Sequence, residues 1–172
     1  LVMAWAEDLY REGSAALFYS RLDLSAGTRL KDECDSVCPW YPEVMKNRKW
    51  FIRHLASEAV SGARGPCQVV ILAAGKSPLA LELLDCHPEK IAAIIETDIA
   101  GMEEKQEIYG AVAPRASKRI RCVHADIFDH RGTFGAILAT GMYDPCRTTL
   151  VVFKGISYYV PPRVSLGILS LF

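Results

Sequence analysis

The chain has 172 residues, 51% of them hydrophobic and 23% charged, which suits one domain with a buried core and excludes a disordered or fibrous polymer. Lys plus Arg number 20, as do Asp plus Glu, and this neutral balance argues against a nucleic-acid binder and a polybasic membrane anchor. No apolar run reaches a membrane span, and the N-terminus lacks the basic-then-apolar layout of a signal peptide.

The six cysteines are scattered, mostly within apolar segments. A small disulfide scaffold would be denser in Cys, so reduced thiols in a cytoplasmic protein are expected. Cys34 and Cys38 are spaced as half of a zinc site, but no second Cys/His pair stands at a matching interval. His54, His87, His124 and His130 form no metal-binding spacing either, so no metal is expected.

In chain order, apolar residues at Val2, Trp5, Ala6, Leu9, Tyr10, Ala16 and Leu17 predict one amphipathic helix over residues 1–20, weakened by Gly13. Residues 21–42, with Gly27, Pro39 and Pro42, read as loop. A helix from about Pro42 to Ser61 follows, closed by Gly62 and Gly65. Gln68–Ala74 is a continuous Val/Ile-rich run between Pro66 and Gly75, as expected of a strand buried on both faces. Lys76–Leu84 reads as a helix capped by Ser77 with Pro78 in its first turn. Ile91–Ile95 is a second strand, Gly101–Gly110 a polar helix, Ile120–His124 a third strand and Thr149–Phe153 a fourth. Pro161-Pro162 and the apolar tail begin another helix. Alternating strands and helices predict a doubly wound, mostly parallel α/β sheet over 66–172, behind a helical segment over 1–65.

Ligands of such sheets bind beyond the carboxyl ends of the strands. The first strand ends in Ala73-Ala74-Gly75, where small residues let a ligand approach the backbone. The second ends in Asp98, about 20 residues further on, placed to accept hydrogen bonds from ribose hydroxyls. The third ends in Ala125-Asp126-Ile127, an acid for an adenine amine and an apolar side chain for the ring. The ordered set suits an adenosine ligand without phosphates. Any one of these acids could instead cap the following helix.

Three other chemistries fit less well. A G-x-G-x-x-G fingerprint for a nicotinamide dinucleotide is missing, with Ala at 73 and Pro at 78. Gly75-Lys76-Ser77 resembles the end of a phosphate-binding loop, but its first glycine would be Val70. Gly155-Ile156-Ser157-Tyr158-Tyr159 lacks the closing glycine of a nucleophile elbow.

Asn47-Arg48, Cys67–Gly75, Ile95–Ile99, His124–Asp129 and Thr149–Val160 stand in an order and spacing that resembles the leucine carboxyl methyltransferase family, including its polyketide-type O-methyltransferase relatives. The resemblance covers roughly residues 43–165. It implies a class I, Rossmann-like fold and S-adenosylmethionine as cofactor. It also implies that Arg48 pairs with the cofactor's carboxylate, Ala73 and Gly75 line its methionine part, Asp98 holds the ribose, and Asp126 and Ile127 hold the adenine. Bidentate Arg–carboxylate pairing gives the first of these a physical basis.

Three positions depart from the family pattern: Ala73 replaces its first glycine, Ser77 replaces the acid that usually follows the glycine turn, and Lys154 replaces a glutamate, reversing a charge beside the cofactor's amino group. The family's sheet normally has seven strands, so a chain stopping soon after the fourth looks truncated. The implied activity is O-methylation of a small-molecule carboxylate or hydroxyl acceptor, with no nucleic-acid or membrane partner and a homodimer as one option. No catalytic residue is singled out; Tyr158, Tyr159 and His130 are candidates to lie near the acceptor. Trp40-Tyr41 and Trp50-Phe51 could roof the pocket or belong to the core. The alternatives are a methyltransferase-like binding module without activity and, behind it, an NAD-dependent oxidoreductase.

Overall fold

Residues 2–172 are described by a computed structural model. The sheet has four parallel strands in the order β3-β2-β1-β4: β1 (Cys67–Leu72), β2 (Ile91–Asp98), β3 (Ile120–His124) and β4 (Thr149–Phe153). β1 is central and buried along its whole length. Its side chains alternate with the pleat. Val69 and Ile71 join the core on one side, and Val70 and Leu72 the core on the other. Gln68 interrupts the apolar run but is satisfied: its amide nitrogen donates to the Asp144 carbonyl and Thr149 Oγ1, both at 2.7 Å, and its amide oxygen accepts from Asp144 N–H at 2.9 Å. That side chain ties the loop before β4 to the central strand.

The predicted strands all form, and β2 extends through Glu96-Thr97-Asp98. The helix predicted over 42–61 is α3 (Tyr41–Gly62), and the polar helix near 101–110 is α5 (Met102–Val112). The helix expected at Pro161-Pro162 is α8 (Pro162–Leu169). α1 (Gly13–Tyr19), α3, α4 (Leu79–Cys86) and α5 cover one face, where Phe18, Ala56, Val60, Leu79 and Tyr109 meet the strands. α7 (His130–Ala139) and α8 cover the other through Ile137 and Ile168. The sheet is therefore doubly wound.

Four local expectations need correction. Residues 1–20 do not form one helix. They form two 3₁₀ turns, Val2–Trp5 and Glu7–Leu9, followed by α1 (Gly13–Tyr19). Gly13 opens that helix in the left-handed region at φ +76°, and Asp85 of α4 caps it by accepting from Ser14 N–H and Oγ at 3.2 and 2.6 Å. Residues 21–42 are not a loop, because α2 spans Ser25–Val37. It buries none of its residues, although Ala26, Leu30, Cys34 and Val37 recur at helical spacing along it; Asp23 accepts from Ser25 N–H at its start, and Trp5 Nε1 donates to Asp35 at 2.9 Å. Ser77 does not cap α4 (Leu79–Cys86); Pro78 precedes the helix, and its carbonyl accepts from Leu81 and Glu82. Two helices were unforeseen: the short α6 (Pro114–Ser117) before β3, and α7 (His130–Ala139) between β3 and β4, capped by Asp129 accepting from Gly132 N–H at 2.9 Å.

Candidate functional site

The chain runs outward from β1 to β2 to β3, then returns to place β4 on the other side of β1. The two strands flanking this reversal therefore diverge in their connections, and the crevice at their carboxyl ends is where a parallel sheet receives a ligand. A cleft of about 270 Å³ opens there, walled by Arg48 of α3, by the Ala73–Ser77 turn after β1, by Asp98 at the end of β2 and by Lys154-Gly155 after β4. The fold thus brings five sequence-predicted positions together: Arg48, Ala73, Gly75, Asp98 and Lys154.

The turn after β1 is the most constrained part. Ala73 has φ +49° and Gly75 φ +55°, both in the left-handed region, where alanine carries a strain that glycine does not. The turn is held from two sides. Asp98 Oδ2 accepts from Gly75 N–H at 2.8 Å, and Asp98 Oδ1 accepts from Ile99 N–H at 2.7 Å. Lys105 Nζ donates to the Gly75 carbonyl at 2.7 Å.

Sequence reasoning missed Lys105. It is fully buried in α5 and paired at 2.9 Å with Glu96, itself fully buried in β2. Tyr109 Oη donates to the same Glu96 oxygen at 3.0 Å, and burial with the Glu96 charge beside it holds that phenol well above its ordinary range. Cys122 lies against Glu96 too, its thiol pushed up first by burial and then by that carboxylate. The only signal in the sequence was a Lys one helical turn before a Tyr, which marks any exposed helix face equally well.

Arg48 reaches the cleft from α3, and its guanidinium lies 3.4 Å from where a Cβ on Gly155 would stand. Gly155, at φ +77°, leaves that space open. Arg48 Nε is buried with no hydrogen-bond partner among the described residues. Lys154 Nζ donates to Ser77 Oγ at 2.7 Å. Burial, then the charges of Lys49 and Lys105, push its pKa down to about 7. Lys49 is pushed down to about 8, again chiefly by burial.

The remaining predicted residues stand apart from the cleft wall. Ile127 is buried with Val160 and Val164, packed against Ala73 and Ile156, so it backs the cleft from behind those two residues. Asp126 is exposed, and its Oδ1 accepts from Phe128 N–H at 2.9 Å. Tyr158 and Tyr159 are exposed after β4. His130 packs its ring on Gly167 of α8, away from the cleft, with Nε2 buried and unpartnered among the described residues. Trp40, Trp50 and Phe51 are exposed and neither enter the core nor line the cleft; Trp50 stacks on His54. Among the described residues no group of His, Cys, Asp or Glu could hold a metal ion, and no helix is long and apolar enough to cross a membrane.

A four-stranded parallel sheet wound on both faces, with a small-residue turn and a strand-end acid at its reversal point, defines a class I, Rossmann-like methyltransferase fold. The model of the leucine carboxyl methyltransferase family matches residues 4–172, and the chain belongs to that family. It is also similar to a solved structure described as a "putative methyltransferase" from Thermobifida fusca YX, with a TM-score of 0.68 and 16% sequence identity. The match covers 99% of this chain and 59% of that one, so this chain spans well under two thirds of its structural neighbour. No curated protein matches the sequence significantly.

Proposed function

We propose that the protein transfers the methyl group of S-adenosylmethionine to an oxygen of a carboxylate or hydroxyl acceptor. The observation that carries this reading is the unpartnered, buried Arg48 Nε on the wall of the β1/β4 cleft, across from Asp98. A buried guanidinium nitrogen without a partner is costly unless a ligand completes it, and a carboxylate is the geometric match. The residues present fit such a cofactor.

Arg48 would hold the carboxylate of the methionine part. Each Asp98 oxygen accepts from one backbone N–H and keeps further lone pairs for a ribose diol. Ala73 and Gly75 let the backbone come close. Ile127, behind Ala73 and Ile156, backs the apolar wall for an adenine, and Asp126, exposed just after β3, is the candidate acid for its amine. When bound, the cofactor supplies an already activated methyl on a sulfonium. The protein's task is then alignment and exclusion of water. A carboxylate acceptor needs no base from the chain, whereas a hydroxyl acceptor does. A small-molecule acceptor and a cytoplasmic setting belong to the same reading.

The test is calorimetric titration of the folded chain with S-adenosylhomocysteine and, separately, with NAD. Micromolar binding of the first and none of the second is expected. Preference for NAD would favour an oxidoreductase, and a folded chain that binds neither would favour a module without cofactor.

A further inference from the structure

Three cations share one side of the cleft: Arg48 and Lys49 from α3, and Lys154 from the end of β4. Among the described residues none of them is paired with a carboxylate. Arg48 Nε has no partner at all. Lys49 Nζ has only soft neighbours, the Met3 sulfur at 3.3 Å and the face of the Tyr10 ring, 5.5 Å from its centroid. Lys154 Nζ has one neutral hydroxyl, that of Ser77. The nearby carboxylates are spoken for. Glu82 pairs with Arg53 at 3.0 Å, Glu96 pairs with Lys105, Glu104 pairs with Lys76, and Asp98 is turned to the backbone of Gly75 and Ile99.

Proteins seldom gather partly buried cations, as these three are, without counter-charge, because each loses hydration and repels the others. The usual resolution is an anion supplied from outside the chain. We propose that Lys49 and Lys154, beside Arg48, form an anion subsite that takes a carboxylate- or sulfate-like group. The anion comes either from the cofactor's own carboxylate or from a separate molecule bound next to it.

Geometry and charge point the same way. Lys49 and Lys154 also line, with Tyr10 and Ser77, a cavity of about 10 Å³ adjoining the cleft, so both residues border the same space. Each is held below its ordinary lysine range chiefly by burial, and the Lys49 charge lowers Lys154 further. Glu82 opposes this on both, and Glu96 on Lys154; Arg48, Arg53 and Lys105 reinforce it. An anion reverses the balance by favouring the charged amines, so its binding draws a proton onto the site. With Lys154 titrating at about 7, the subsite carries all three charges just below neutrality and loses that of Lys154 above it. Obligatory uptake of one proton makes affinity fall about tenfold for each pH unit above that point.

The subsite does not need the methyl-transfer reading to stand, except in naming the cofactor as one source of the anion. The probe is sodium sulfate, whose charge is constant across the range, titrated calorimetrically into the full chain from pH 6 to 9 at ionic strength held constant with chloride. Sulfate should bind below pH 7, weaken at least tenfold by pH 8.5, and take up close to one proton, read from buffers of different ionisation enthalpy. Lys49→Met and Lys154→Met should each weaken it about tenfold or more at pH 6.5 while unfolding cooperatively. Repeating the titration with saturating S-adenosylhomocysteine identifies the source: competition assigns the subsite to the cofactor's carboxylate, and undiminished sulfate binding assigns it to a separate anion. If sulfate binds but S-adenosylhomocysteine never does, the subsite stands and the cofactor reading falls. Sulfate binding that is absent, independent of pH, or unchanged in both lysine variants would overturn the proposal.

Discussion

Replacing Lys105 by Met is the sharpest test of how the cleft floor is built. Lys105 and Glu96 are both fully buried, 2.9 Å apart, so water cannot enter to solvate whichever partner remains. Removing one member of such a pair costs about 3–5 kcal/mol, because a buried charge is left uncompensated. The Gly75 carbonyl loses its Lys105 donor as well, worth about 1 kcal/mol. A net loss of about 4 kcal/mol is a large part of the roughly 5–15 kcal/mol that holds a domain folded. At about 2–4 °C per kcal/mol for a chain of this size, the midpoint should fall by about 8–16 °C. The companion variant Lys105→Met/Glu96→Gln removes both charges and keeps an acceptor for Tyr109 Oη. It should recover at least about 2 kcal/mol of the loss. Urea unfolding followed by circular dichroism measures all three species. A single-variant cost below about 1 kcal/mol, or a double variant less stable than the single, would refute the reasoning.

Other outcomes follow from the same geometry. Ala73→Gly should stabilise the fold by about 0.5–1 kcal/mol, since relief of the left-handed strain at φ +49° exceeds the extra freedom of glycine in the unfolded chain; a loss of stability in thermal melts would contradict this. Gly167→Ala should cost about 1–3 kcal/mol, because a Cβ there collides with the His130 ring, and Gly167→Ala/His130→Ala should regain most of it. Lys154→Met should raise stability most below pH 7, where the native state holds a buried charge, and the gain should shrink as pH climbs toward 10.5. A pH-independent difference would show that Lys154 carries no such penalty. Asp98→Ala should weaken S-adenosylhomocysteine and also loosen the Gly75 turn, visible as faster amide exchange at Gly75, so binding loss alone does not show a ribose contact.

The strands and α3 were legible because their signals are local and strong: unbroken Val/Ile runs bounded by Gly and Pro, and a proline at a helix start. The five cleft residues were legible because each sits at a strand end or on the helix before the sheet. What escaped was whatever depends on distant partners. α2 carries only Ala26, Leu30, Cys34 and Val37 on one face among polar residues, a thin stripe outweighed by Gly27 and the prolines that follow it. α1 starts at Gly13 only because Asp85, far along the chain, caps it. Ser77 looked like a helix cap, yet its hydroxyl serves Lys154. Lys105 and Lys49 gained their meaning only when folding buried them beside other charges.

The placement to check is an adenosyl cofactor in the β1/β4 cleft with Arg48 on its carboxylate. It is tested most directly by titrating the chain and its Arg48→Met variant with S-adenosylhomocysteine and with 5′-methylthioadenosine, which lacks the carboxylate. Loss of one buried charge-assisted pair, about 1.5–3 kcal/mol, predicts roughly 10- to 100-fold weaker S-adenosylhomocysteine binding in the variant, with 5′-methylthioadenosine unchanged. Equal weakening of both ligands, or no effect on either, would contradict the account.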